Sequence, residues 1–223
     1  MTWLRRRLRR RPIEEAPIHS APPWQKYGGK ADRWSETAYA DTEAYLARRG
    51  ELIRTLGPEL QVGDTVLDLA CGDGGLADFL PDQRYVGVDA NADMAAAGRA
   101  LGREIVEADL NVYAPPTPVE ATTIFRAIYY AADRRELLAR IAGYTTRKLV
   151  FDLNPRQYAL ADVRADLEAA GFDRLATRPF FVPQTRAPLP GLQLLERSGP
   201  LAHAILRVRF TLICAAWSSS SGS

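Results

Sequence analysis

Residues 66–75 read Val66-Leu67-Asp68-Leu69-Ala70-Cys71-Gly72-Asp73-Gly74-Gly75. An apolar run reaches a carboxylate and then passes into small residues. A strand that ends this way brings backbone N–H groups to an edge where a ligand can touch main chain, because little side chain intervenes. The spacing differs from the G-x-G-x-x-G of a dinucleotide site. Here Ala70, Gly72 and Gly74 recur at every second position behind Asp68.

Outward from this turn, short apolar runs alternate with helical stretches. Strands are predicted at Thr65–Ala70, Tyr85–Asp89, Glu104–Ala108, Thr122–Tyr129, Lys148–Leu153, Arg174–Phe181 and Ala204–Ile213. Helices are predicted from the glycine turn to Leu80, then over Ala92–Leu101, Arg134–Ala142 and Val163–Ala170, with Gly171 as a C-cap. Upstream, Ser35–Leu56 carries Tyr39, Tyr45, Leu46 and Ile53 as a partial helical stripe before Gly57-Pro58. This alternation predicts an α/β, Rossmann-like fold: a mostly parallel seven-stranded sheet with helices on both faces. Three of the early strands end at an acid, namely Asp68, Asp89 and Asp109. A carboxylate at the second strand tip suits the two hydroxyls of a ribose.

Leu67 to Gly75 resembles the first motif of the class I S-adenosylmethionine-dependent methyltransferases, in its LDLACGxG variant. Tyr85-Val86-Gly87-Val88-Asp89 with Asn91-Ala92-Asp93-Met94 resembles the second motif, and Glu107-Ala108-Asp109-Leu110 the adenine-binding segment. The resemblance covers about residues 60–175. It implies the methyltransferase form of the Rossmann-like fold and S-adenosylmethionine as cofactor. On that reading Asp68 organises the loop and meets the cofactor's amino group. Ala70, Cys71, Gly72 and Gly74 pack against its methionine and ribose portions, with Ala70 in the first glycine position. Asp89 and Ala90 take the ribose, Met94 lies beside the adenine, Asp109 accepts from the exocyclic amine and the Leu110 N–H faces a ring nitrogen. Phe125 and Arg126 pass under the methionine part.

The methyl acceptor is then expected over the ends of the fourth and fifth strands. Tyr130 and Asn154 are the candidates to face it. Asn154-Pro155 invites comparison with the N-P-P-Y of amino-methyltransferases. That motif follows strand four, however, and Arg156 stands where its second proline would be, so the comparison fails. Only His19 and His203 are available as imidazole bases, and neither falls at a family catalytic position. Catalysis by positioning is therefore the expectation. Tyr27, Trp34 and Tyr39 sit where many relatives carry a lid, and their rings would suit a sulfonium.

Lys+Arg is 29 and Asp+Glu is 27 in 223 residues. Six of the arginines crowd into residues 1–12, and without them the body is mildly acidic. That argues against a nucleic-acid surface. The stretch Arg5–Arg11, with Trp3, Leu4 and Leu8, suits either a solvated arm or peripheral contact with anionic lipid. No uncharged apolar run approaches the ~20 residues of a membrane span. No apolar segment after the arginines resembles a secretory signal. Cys71 and Cys214 make no disulfide framework, and no metal-ligand spacing appears. The expectation is a cytoplasmic protein, with membrane association through the arm as an option. Residues 1–34 would be the basic, Pro/Gly-rich arm, 35–217 the methyltransferase domain and 218–223 a flexible tail. The expected function is methyl transfer to a small-molecule acceptor, at oxygen, with Phe180-Phe181 and Leu189 suggesting a hydrophobic or lipid-linked one. The alternatives are a non-catalytic cofactor-binding protein and another sulfonium-using transferase on the same scaffold. A nicotinamide dehydrogenase would share Asp89 but would keep G-x-G-x-x-G.

Overall fold

The computed structural model describes residues 34, 41–155, 157–180 and 211–222. Its sheet has seven strands: β1 (Thr65–Leu69), β2 (Arg84–Asp89), β3 (Ile105–Glu107), β4 (Val119–Ile124), β5 (Thr145–Leu153), β6 (Arg174–Phe180) and β7 (Thr211–Trp217). Their spatial order is β3-β2-β1-β4-β5-β7-β6. The first five run parallel; β7 is antiparallel to both β5 and β6. The order reverses between β1 and β4, which opens the crevice where ligands of such sheets bind.

The helices are α1 (Thr42–Thr55), α2 (Ala92–Ala100), α3 (Arg134–Tyr144) and α4 (Leu160–Ala170). Asp41, Asn91 and Asp133 cap α1, α2 and α3 by accepting from N–H groups of the first turn. Gly171 ends α4 at φ 103°, as its position suggested.

Central strands buried on both faces read as continuous apolar runs. Their alternate residues therefore fill two cores. Leu67, Leu69, Ile124, Phe151 and Leu153 meet Leu137, Leu138 and Ile141 of α3 and Val163 and Leu167 of α4. On the other face Val66, Ala121, Val150 and Ile213 meet Tyr45, Leu46, Leu52 and Ile53 of α1. This second face also carries buried polar groups. Lys148, fully buried on β5, donates from Nζ to the carbonyls of Arg54 (3.1 Å) and Leu56 (2.9 Å) at the end of α1. Burial lowers the Lys148 pKa to about 7.

Three predicted elements differ. The helix after the glycine turn is a single 3-10 turn, Gly75–Phe79. It has Gly72 and Gly74 before it, Gly75 as its first residue and Pro81 after it, which leaves little helix propensity. The fourth strand stops at Ile124 rather than running to Tyr129. Arg126 adopts φ +56°, and Ile128–Tyr130 form a second 3-10 turn. The last strand lies at Thr211–Trp217, later than expected; residues 204–210 lie outside the described residues. At the C-terminus Ser219–Gly222 form another 3-10 turn, and the Ser219 N–H donates to Asp173 at 2.7 Å. The basic arm, His19, His203, Tyr27 and Tyr39 lie outside the described residues.

Candidate functional site

β1 and β2 deliver the two acids of the glycine turn to the same sheet edge. Beyond β1 the chain enters left-handed backbone at Ala70 (φ 58°), Gly72 (φ 63°) and Gly74 (φ 74°). Asp89 holds this loop. Its Oδ2 accepts from the Gly72 N–H at 2.7 Å, and its Oδ1 from the Asn91 N–H at 2.8 Å. An ionised carboxylate has about four acceptor directions, so two protein bonds leave capacity for ligand hydroxyls. A simple role for Asp89 as the cap of α2 is set aside, because Asn91 fills it, accepting from Asp93 and Met94. Burial raises the Asp89 pKa against those two N–H donors.

The turn fits only where its neighbours are small. A Cβ on Gly87 would come within 2.6 Å of Cys71 Sγ. A Cβ on Gly72 would lie 2.9 Å from Trp34 Cδ1 and 3.0 Å from Nε1. The indole of Trp34 therefore packs against the loop backbone. Burial and nearby Asp68 push the Cys71 thiol well up, which makes it an inert packing group.

Asp68 is 4% exposed and sits between two hydroxyls. Tyr85 donates to Oδ2 at 2.8 Å and Thr123 to Oδ1 at 2.7 Å. Burial pushes its pKa to about 6; the two hydroxyls and Arg49 oppose that rise. Asp68 thus ties β1 to both neighbours, β2 and β4, at the crevice.

The β3 end is organised by a residue that sequence reading missed. Asp109 Oδ1 accepts from both the backbone and the side-chain N–H of Asn111, each at 2.8 Å. Asn111 also donates to the Tyr130 carbonyl at 3.1 Å and accepts from Ala132 at 2.8 Å. It fastens the Asp109 loop to the turn after β4. Met94 and Leu110 are buried, and Ala90 is half-buried beside Asp89. Phe125 is buried on the α1 side of the sheet.

Beyond the ends of β4 and β5 lies a cavity of about 280 Å³. Among the described residues, Arg126, Ile128, Tyr129, Asp152, Asn154, Gln157, Tyr158 and Thr211 line it. Seven of these eight carry polar or ionisable groups. Asn154 is exposed at the rim, and its carbonyl accepts from the Gln157 and Tyr158 N–H groups in a turn. Tyr129 is on the wall, whereas Tyr130 is half-buried against the core with its ring edge-on to Tyr129, centroids 4.4 Å apart. Asp152 joins the cavity to the buried interior. Its Oδ1 accepts from the Arg126 N–H at 2.6 Å, and its Oδ2 is 3.5 Å from Arg49 of α1. Arg49 is itself buried, with its guanidinium 4.3 Å from the ring centroids of Tyr45 and Phe125 and donating to the Tyr45 hydroxyl at 2.6 Å. Burial raises the Asp152 pKa, with Arg49 opposing. Arg49 had a detectable signal: a charge at helical spacing from Tyr45, Leu52 and Ile53, on the apolar face.

No family model matches the chain. An uncharacterized methyltransferase of Schizosaccharomyces pombe is 35% identical over 88 residues. That match spans 38% of this chain and 30% of the relative's length. A Haloferax volcanii putative methyltransferase complex with the activator Trm112 contains a chain superposing with TM-score 0.60 at 18% identity, over 89% of this chain and 99% of that one. Synechocystis magnesium protoporphyrin IX methyltransferase, with bound S-adenosylmethionine, gives 0.53 at 17% identity, over 79% and 76%. The fold is that of the class I S-adenosylmethionine-dependent methyltransferases.

Proposed function

We propose that this protein transfers a methyl group from S-adenosylmethionine to an oxygen of a small polar acceptor. One arrangement carries the reading: a left-handed turn pinned by Asp89 at the crevice, with a polar cavity across the next strand ends. The residues suit the cofactor. Asp89 keeps acceptor capacity for a ribose diol, Asp68 offers a carboxylate near an amino group, and Asp109 and Leu110 flank an adenine position. Met94, Phe125 and the loop residues Ala70, Cys71, Gly72 and Gly74 supply the packing surface. Trp34 covers Gly72, consistent with a lid.

When bound, the cofactor supplies a methyl carbon activated by sulfonium. The chain's task is to hold the acceptor's lone pair in line behind that carbon and to exclude water. Transfer forms an O–CH₃ bond and breaks the S–CH₃ bond, whose electron pair stays on sulfur. Asp152 is the carboxylate on the cavity wall and takes the hydroxyl proton. The lining by described residues favours a polar acceptor over the hydrophobic one expected from Phe180-Phe181 and Leu189; Phe181 and Leu189 lie outside the described residues.

Calorimetric titration with S-adenosylmethionine, beside Asp89→Ala, tests the cofactor site. Micromolar binding that weakens in the variant by ~1–3 kcal/mol, the cost of leaving a buried partner unsatisfied, supports it. No binding by folded wild type refutes it. Transfer of label from the methyl carbon distinguishes methylation from another sulfonium chemistry and from a non-catalytic binder. Among the described residues no helix is long and apolar enough to cross a membrane. Contact of Arg5–Arg11 with anionic lipid predicts that deleting residues 1–11 lowers partitioning onto phosphatidylserine vesicles; unchanged partitioning removes that idea.

A further inference from the structure

We infer that the acceptor carries an oxyanion, a carboxylate or a phosphate, and that Arg126 binds it. The inference rests on the methyl-transfer reading and names the acceptor class for its cavity. Two cations flank Asp152, and they are used differently. Arg49 approaches it from the buried side, enclosed by Tyr45 and Phe125. Arg126 hydrogen-bonds Asp152 through its backbone N–H, and its guanidinium acts on that carboxylate only as a nearby charge. Arg126 lines the cavity, and its guanidinium makes no ion pair or hydrogen bond with any described residue.

The backbone there is also unusual. Arg126 holds φ +56°, a region that costs a non-glycine residue ~1–2 kcal/mol. The short bond to Asp152 keeps it there, and the resulting turn ends β4 and sets Arg126 on the cavity wall. Glycine would make the same turn without strain. An arginine at such a position supplies something glycine cannot: a planar donor fork suited to carboxylate and phosphate. Amide groups of Asn154 and Gln157 and the Thr211 hydroxyl line the same cavity and can complete the anion's hydrogen bonds.

The test uses full-length protein saturated with S-adenosylhomocysteine. Sodium acetate and inorganic phosphate are the probes, with chloride at matched ionic strength as control. The Arg126 Nε–Hε resonance, assigned by its loss in Arg126→Gly, reports binding. Saturable shifts with one probe and not with chloride are expected, and the stronger probe identifies carboxylate or phosphate. Competition against a reporter anion reads the variants. Arg126→Gly, which relieves the backbone, should fold and weaken anion binding at least 10-fold. Arg126→Lys should retain part of it, and Asp152→Asn should tighten it by removing the nearby negative charge. Unchanged anion affinity in Arg126→Gly overturns the inference. So does an equal loss of S-adenosylhomocysteine affinity, which would assign Arg126 to the cofactor's carboxylate. Anion binding through Arg126 in a protein that binds no S-adenosylhomocysteine would sink the methyl-transfer reading while leaving the anion site standing.

Discussion

Gly72→Ala should be costly for two separable reasons, and a second substitution should remove one of them. The backbone at Gly72 is left-handed, φ 63°, where a Cβ costs ~1–2 kcal/mol. Alanine returns ~0.4–1 kcal/mol by restricting the unfolded chain. The net backbone penalty is therefore ~1 kcal/mol. The new methyl would also stand 2.9 and 3.0 Å from two atoms of the Trp34 indole, closer than carbon contacts allow. Forcing that ring aside adds an overpacking cost of ~1–3 kcal/mol. Urea unfolding should thus show a total loss of ~2–4 kcal/mol. In a Trp34→Ala background the same change should cost only ~1 kcal/mol, a coupling of ~1–3 kcal/mol in a double-mutant cycle. Cofactor affinity should fall in Gly72→Ala and recover in part in the double variant. If Gly72→Ala costs the same with and without the indole, Trp34 does not rest on the loop, and the lid reading loses its support.

Four further outcomes follow from the same geometry. Ala70→Gly should stabilise the fold by up to ~1 kcal/mol, because Ala70 already bears left-handed strain at φ 58°; a destabilised variant in urea unfolding would contradict this. Asp68 is raised to about 6, so its contribution to stability is full below pH 3.8 and is lost as pH rises through 6. S-adenosylmethionine affinity should move the other way, falling ~10-fold from pH 7 to pH 5 as the carboxylate protonates, and Asp68→Asn should flatten that calorimetric profile. Lys148 is lowered to about 7, so its contribution is present above pH 10.5 and lost as pH falls through 7; the slope, at most ~1.4 kcal/mol per pH unit, should vanish from pH-dependent unfolding of Lys148→Met. Arg49→Met leaves Asp152 buried without its nearest cation and should destabilise by ~3 kcal/mol in urea unfolding, a loss that Arg49→Met with Asp152→Asn, which removes the charge and still accepts from the Arg126 N–H, should largely restore.

The geometry of the glycine turn and its acids was legible because it is local in the chain. Asp68 and the small residues behind it sit within one strand–turn segment, Asp89 ends β2, and Asp109 follows β3 by two residues. The cavity beyond β4 and β5 depends on contacts between distant residues. Extending β4 to Tyr129 made Tyr130 the residue to face the acceptor. Nothing near Arg126 in sequence announces that Asp152, 26 residues later, will capture its N–H and end the strand at Ile124. That turn sets Tyr129 on the cavity wall and folds Tyr130 against the core. Asn111 escaped notice for the same reason, since two of its partners lie beyond β4. The 3-10 turn after the glycine loop is different. Its glycines were plainly visible, and their weak helix propensity outweighed the expectation of a full crossover helix.

Buried polar groups usually cost stability, yet one face of this sheet concentrates them. Asp68, Thr123 and Tyr85 form one bonded set, and Asp152 with Arg49 and the Arg126 N–H forms another. Both sets lie at the carboxyl ends of the central strands, the edge at which open α/β sheets bind ligands. Arg49 links them, because its charge lowers the pKa of both carboxylates against the burial that raises them. Lys148 lies lower on β5, away from that edge, and binds the far end of α1. Helix α1 is therefore fastened at two heights along β5: by carbonyls accepting from Lys148 and by Arg49 facing Asp152. An apolar helix face could pack there with several rotations of similar energy. Two polar attachments about two turns apart along the helix admit only one, since a rotated helix would strand a buried cation at each end. The cost of burying these charges thus fixes the position of Arg49, and through it the charge that opposes burial at one carboxylate beside the glycine turn and another on the cavity wall.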